Sequence, residues 1–69
     1  MKLFIVCYLS GNSLEDIRVC IDFETAEKFL EKNKKSHQIL VYKVTEGITD
    51  ESPEFAYSYE NERLVKHAF

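Results

Sequence analysis

The chain has 69 residues, with nine Lys plus Arg against twelve Asp plus Glu and a formal net charge of −3. That length holds one domain, and the acidic balance counts against general nucleic-acid binding, which draws on basic surface. With 45% hydrophobic and 30% charged residues, two Gly and one Pro, the composition is that of a globular chain.

The first element is the apolar run Leu3 to Leu9, rich in β-branched and aromatic residues. Lys2 ahead of an apolar run resembles a leader peptide, but the run is short and no small-residue cleavage site follows. It is also far too short to span a membrane. It reads as a strand buried on both faces, and the protein as cytoplasmic. Leu3, Ile5, Cys7 and Leu9 face one side, and Phe4, Val6 and Tyr8 the other. Ser10 to Ser13 reads as a turn. Leu14 to Ile21 alternates, with Ile17, Val19 and Ile21 on one side and Asp16, Arg18 and Cys20 on the other, so a half-buried second strand completes a hairpin.

At Asp22 the period changes. Asp22 is an N-cap candidate, and Phe23, Ala26, Phe29 and Leu30 form an apolar stripe at helical spacing. The spacing predicts a helix over 23–34 with Asn33 as its C-cap. Gln38 to Glu46 returns to a strand, and Gly47 to Pro53 to a loop. Over 54–69, Pro53 is suited to starting a helix. The strict alternation of Phe55, Tyr57 and Tyr59 favours a hairpin instead, turning at 60–63 and returning over Leu64 to Phe69.

The expected fold is therefore one α+β domain over 1–69. It is an antiparallel sheet of four to five strands in the element order β-β-α-β-β-β, with spatial order 2-1-3-4-5 and one helix packed on one face. One short helix cannot cover such a sheet. The apolar second face needs another cover, and contiguous exposed apolar surface marks an interface. A homodimer through the open face or an edge strand is the simplest cover, a foreign protein the next, and a folded-back terminal hairpin the plainest.

No cofactor or metal motif is present, and no small-molecule substrate is expected. Cys7 and Cys20 are too few for a disulfide scaffold and sit in apolar runs, so they read as buried free thiols ahead of a hairpin disulfide. With His37 and His67 they make a two-Cys, two-His count, but without the spacing of a zinc site. His37 is expected in a loop after the helix, and His67 half exposed in the last strand. Ser10, Ser13, Ser36, Ser52 and Ser58 lie in no nucleophile elbow, and no glycine-rich phosphate loop exists. The sequence reads as non-enzymatic.

Two surface patterns remain. Lys28, Lys32, Lys34 and Lys35 form a basic patch that could touch phosphates, as in a small nucleic-acid-binding accessory protein. Interleaved Glu24, Glu27 and Glu31 blunt it, with Glu24–Lys28 and Glu31–Lys35 spaced as i,i+4 pairs, so a solvated helix face is the plainer reading. From Glu46 to Arg63 there are six acids and one base. Glu54, Glu60 and Glu62 there, with Phe55, Tyr57 and Tyr59, have the makeup of a partner-binding surface. The plainer alternative is that the aromatics are core and the acids keep the hairpin soluble. Taken together, the expected function is a protein-binding module acting through the open sheet face and the acidic-aromatic hairpin. Its sharpest form is a phage or mobile-element modulator or inhibitor of a host protein.

Overall fold

The computed structural model describes residues 1–68. Six strands and one helix run in the order β1 (Lys2–Ser10), β2 (Ser13–Cys20), α1 (Phe23–Glu31), β3 (Gln38–Thr45), β4 (Ile48–Thr49), β5 (Phe55–Glu60) and β6 (Arg63–Ala68). Every pairing is antiparallel. The spatial order is β2-β1-β3-β5-β6, with β4 folded back on the end of β3. This is the expected α+β sheet, and its first strand is interior as expected. The added strand β4 lies inside the expected loop 47–53. The hairpin reading of 54–69 holds through Ala68, and Phe69 lies outside the described residues.

Three two-residue loops close the hairpins. Gly11 follows Ser10 with a φ of +62°, and Ser10 pairs with Ser13. Positive φ at the first loop position belongs to a type II′ turn, where Gly carries no Cβ penalty. Glu46 and Gly47 (φ 53° and 79°) close β3–β4, while Asn61 and Glu62 (φ 52° and 64°) close β5–β6. Positive φ at both loop positions is the type I′ pattern. Glu62 bears the steric cost of that region, about 1 kcal/mol. Its exposed carboxylate gains little in exchange, as surface ion pairs contribute about 0–1 kcal/mol. Glu62→Gly is therefore expected to raise stability by up to about 1 kcal/mol, read as a later midpoint in urea denaturation.

The helix starts where Asp22 accepts a 2.8 Å hydrogen bond from the backbone N–H of Thr25. That bond holds the Asp22 carboxyl below its ordinary range. A lowered folded value gives stability that is present above the ordinary carboxyl range and is lost as pH falls through the folded value. Asp22→Ala should accordingly lower the melting temperature near neutral pH. The gap from the parent should shrink as pH drops through the carboxylate range, which circular dichroism melts at several pH values will read. The helix ends at Glu31, one turn short of the expected 34. The Asn33 N–H turns back to the Leu30 carbonyl at 2.9 Å, and its side-chain amide donates to the Phe29 carbonyl at 3.4 Å. Lys34 and Lys35 thus lie past the helix, so Glu31–Lys35 is not a helical i,i+4 pair.

Antiparallel partners share a face, so the register sorts the side chains. Phe4, Val6, Cys20, Ile39, Val41, Phe55, Tyr57, Tyr59 and Leu64 pack with Phe23, Ala26, Phe29 and Leu30 of the helix. Val6, Ala26, Leu30, Ile39 and Val41 are all but sealed there. On the opposite face Cys7, Leu40 and Ala56 are buried beneath Ile5, Leu14 and Tyr42. Cys7 and Cys20 are free and buried, as expected. They sit on opposite faces: Cys20 pairs with Phe4, three residues along β1 from Cys7, about 10 Å away. Burial pushes both thiols up.

Candidate functional site: the open sheet face

The helix has nine residues, about 14 Å of length and about 10 Å of width. It lies over β1, β2 and β3 on one face only. Five strands span about 24 Å, and no element covers the other face among the described residues. Its β2–β1 side is the most exposed part. Leu9 is 59% exposed, Ile17 53% and Val19 61%. Leu9 pairs with Leu14, and Val19 with Ile5.

A β-bulge makes this surface continuous. Between Val6↔Arg18 and Tyr8↔Glu15 the register slips by one, so Asp16 and Ile17 both oppose Cys7. Asp16 takes a φ of 51°, and the extra residue restores the alternation. Leu14, Ile17 and Val19 then fall on the open face, while Glu15, Arg18 and Cys20 point toward the helix. Arg18 confirms the assignment, its guanidinium lying 5.2 Å from the Phe29 ring centroid. The open-face positions of β2, β1 and β3 (Leu14, Ile17, Val19; Leu3, Ile5, Cys7, Leu9; Gln38, Leu40, Tyr42, Val44) hold no charged side chain. Charge returns only on the far side, where Glu60, Arg63 and His67 of β5 and β6 share that face.

The bulge is fastened from beneath. Asp16 Oδ2 lies 2.9 Å from His37 Nε2, and His37 Nδ1 lies 2.6 Å from Ser36 Oγ. His37 is 8% exposed, with the Tyr8 ring edge-on at 5.1 Å. The sequence placed His37 in a loop after the helix and gave no sign of this burial. Hydroxyl, imidazole and carboxylate stand in series, in the order of a nucleophilic set. The amides of these two residues are engaged as well: Ser36 N–H and His37 N–H both donate to the Asn33 carbonyl, at 3.2 and 3.0 Å. What the cluster does in the fold is tie the bulge of β2 to the chain entering β3. A cleft of about 270 Å³ opens beside it, bounded by Leu9, Lys34, Lys35, Ser36, Ser58 and Tyr59. No group of three or more His, Cys, Asp or Glu is placed to hold a metal among the described residues.

The acidic-aromatic hairpin is engaged within the chain. Phe55, Tyr57 and Tyr59 lie on the helix-covered face and are half-buried in its core. Tyr57 meets Phe23 edge-on at 4.9 Å. The ammonium groups of Lys66 and Lys2 lie 3.8 and 5.3 Å from the Phe55 ring centroid, and that of Lys34 lies 4.9 Å from the Tyr59 ring. Burial and the charges of Glu31 and Glu27 push the Tyr59 phenol up. Glu54 Oε1 is buried without a hydrogen bond, its nearest cation being Lys2 at 3.7 Å. Glu60 pairs with His67 at 3.2 Å. Ser58 also reaches His67, at 3.1 Å. Glu62 pairs with Lys34 at 3.2 Å. The acidic-aromatic hairpin and the basic patch therefore meet at Lys34, which reaches both Glu62 and the Tyr59 ring, while Lys28, Lys32 and Lys35 are exposed.

No family model, curated protein or solved structure matches this chain. No helix among the described residues is long and apolar enough to cross a membrane.

Proposed function

We propose that this chain is a small protein-binding module whose working surface is the helix-free face of β2, β1 and β3. The observation that carries the reading is the joint exposure of Leu9, Ile17 and Val19 on the part of that face whose positions hold no charged side chain. Isolated exposed apolar residues are ordinary, but a contiguous patch is a place where proteins meet. The sequence also pointed to the acidic-aromatic hairpin, as interface or as core. Its aromatics already spend their surface on Phe23 and on lysine ammonium groups, so the open face takes precedence. Its lack of charge selects a partner whose own patch is uncharged and apolar. The two free, buried thiols suit a reducing compartment, which supports a cytoplasmic setting.

Site-specific photo-crosslinking tests this. The native thiols are buried, so a benzophenone maleimide will react with a cysteine introduced as Val19→Cys on the open face or Lys28→Cys on the wet side of the helix. In extracts of the native cells, adducts are expected from position 19 and not from position 28. No adducts from position 19, or the same adducts from both positions, would refute the module.

A further inference from the structure

We infer that the partner on this face is a second copy of the same chain, the two sheets stacking face to face with the helices outward. The inference rests on the open-face reading and names its occupant.

Charge narrows the choice first. The chain carries −3 overall, so two copies repel wherever charged surfaces meet. They do not repel across the open-face positions of β2, β1 and β3, which hold no charged side chain. A basic partner would find no acid there to pair with, and an acidic one no base. The surface that matches an uncharged apolar sheet face is another such face, and this chain supplies one in every copy. A two-fold contact of this kind is self-complementary, the same patch serving both sides.

Size points the same way. A standard interface takes about 800 Å² from each partner, against a total accessible surface of 4959 Å² for this chain. The uncharged part of the face, three strands or about 14 Å across and about 23 Å long, has a flat footprint of about 330 Å². Side-chain relief enlarges it toward the small end of specific interfaces, which suits a dimer that forms at tens to hundreds of micromolar. A single docked helix, about 10 Å wide, would cover only two strands. A second sheet lies about 10 Å away and covers the whole width.

The edges argue against the other way of joining two sheets. β2 and β6 are the edge strands. The bulge at Asp16 interrupts β2, and β6 carries Arg63, Lys66 and His67. Bulges and edge charges, lysine above all, are what blunt an edge against strand addition. Face-to-face stacking remains.

Light scattering on the purified chain over tens to hundreds of micromolar tests this. The expected mass rises with concentration toward twice the 8.1 kDa of one chain. The double variant Ile17→Lys/Val19→Lys should hold the mass of one chain across that range with an unchanged circular dichroism spectrum, a weakening of at least about tenfold. Lys28→Glu, on the helix, should dimerise as the parent does. Should the lysine pair disturb folding, Ile17→Thr/Val19→Thr keeps strand-forming side chains and should still weaken the dimer. A parent that stays at one chain's mass throughout, or a dimer indifferent to the folded double variants, would overturn self-pairing. The crosslinking arms separate the two levels. A monomeric parent whose position 19 still captures other proteins loses the second copy but keeps the module, and a position 19 that captures nothing loses both.

Discussion

Leu30→Ala should leave the chain at the border of unfolding. Leu30 is fully buried on the inner side of a nine-residue helix, in one cluster with Val6, Ile39 and Val41. Truncating a sealed leucine costs about 2–5 kcal/mol, through lost transfer energy and the cavity left behind. A domain of this length has about 3–10 kcal/mol in total. The site cannot relax easily, because β3 beneath it is held on both sides, by β1 and by β5. The expected result is a fall in melting temperature of about 10–30 °C, with the native circular dichroism signal reduced or lost at 37 °C. The contrast is Val19→Ala on the open face. Val19 is 61% exposed in one chain, so its truncation should change the dilute monomer's stability by about 0.5 kcal/mol or less beyond strand propensity. Equal losses at the two positions would mean that both faces are core.

His37→Ala should be the next most damaging. The ring is buried, hydrogen-bonded at both nitrogens and flanked by Tyr8. Its removal opens a void under the bulge and deprives Asp16 and Ser36 of their partner. Both of these reach water, so the penalty of stranding them is small, and the main costs are the lost bonds and contacts, about 2–3 kcal/mol. Urea denaturation will read that loss. The same variant frees Asp16 from its left-handed conformation. If the register of β2 relaxes, Ile17 and Val19 shift faces, because a slip of one residue turns every side chain over. Loss of stability with an intact open face, seen as unchanged exchange of the Val19 amide, would show that the bulge holds without its fastening.

Much of this fold is legible in the chain. The apolar run Leu3 to Leu9, the alternations around Val19 and Tyr57, and the period change at Asp22 each mark an element and sort its two faces, since a side chain's face follows from its spacing. The alternation in β2 does not tell which face is buried: Cys20 is buried, while Ile17 and Val19 are more than half exposed. The interior place of β1, between β2 and β3, agrees with its run of apolar residues, although the helix covers only one of its two faces. The bulge is harder. Leu14 and Ile17 are an odd number of residues apart, so a regular strand puts them on opposite faces, and only an inserted residue reconciles them. That parity break was the available signal, with Asp16 as a residue that tolerates positive φ. The helix ends early because Asn33 draws the chain back, a local competition that lysine-rich sequence does not reveal. The burial of His37 depends on Asp16, twenty-one residues away, and no periodicity reports such a pair. The acidic-aromatic hairpin shows the reverse difficulty. Its alternation fixes that Phe55, Tyr57 and Tyr59 share a face but not which face the helix takes, and that one choice decides between core and free surface.

The face left open by the helix is the centre of this account, and methyl relaxation by a soluble nitroxide measures its cover directly. Ile48, in β4, is 72% exposed, at least as much as Leu9, Ile17 and Val19 in a single chain. At several hundred micromolar protein, the methyls of Leu9, Ile17 and Val19 should be protected from the nitroxide while those of Ile48 broaden fully, with the protection fading on dilution. Equal broadening of all four residues at every concentration would contradict the account.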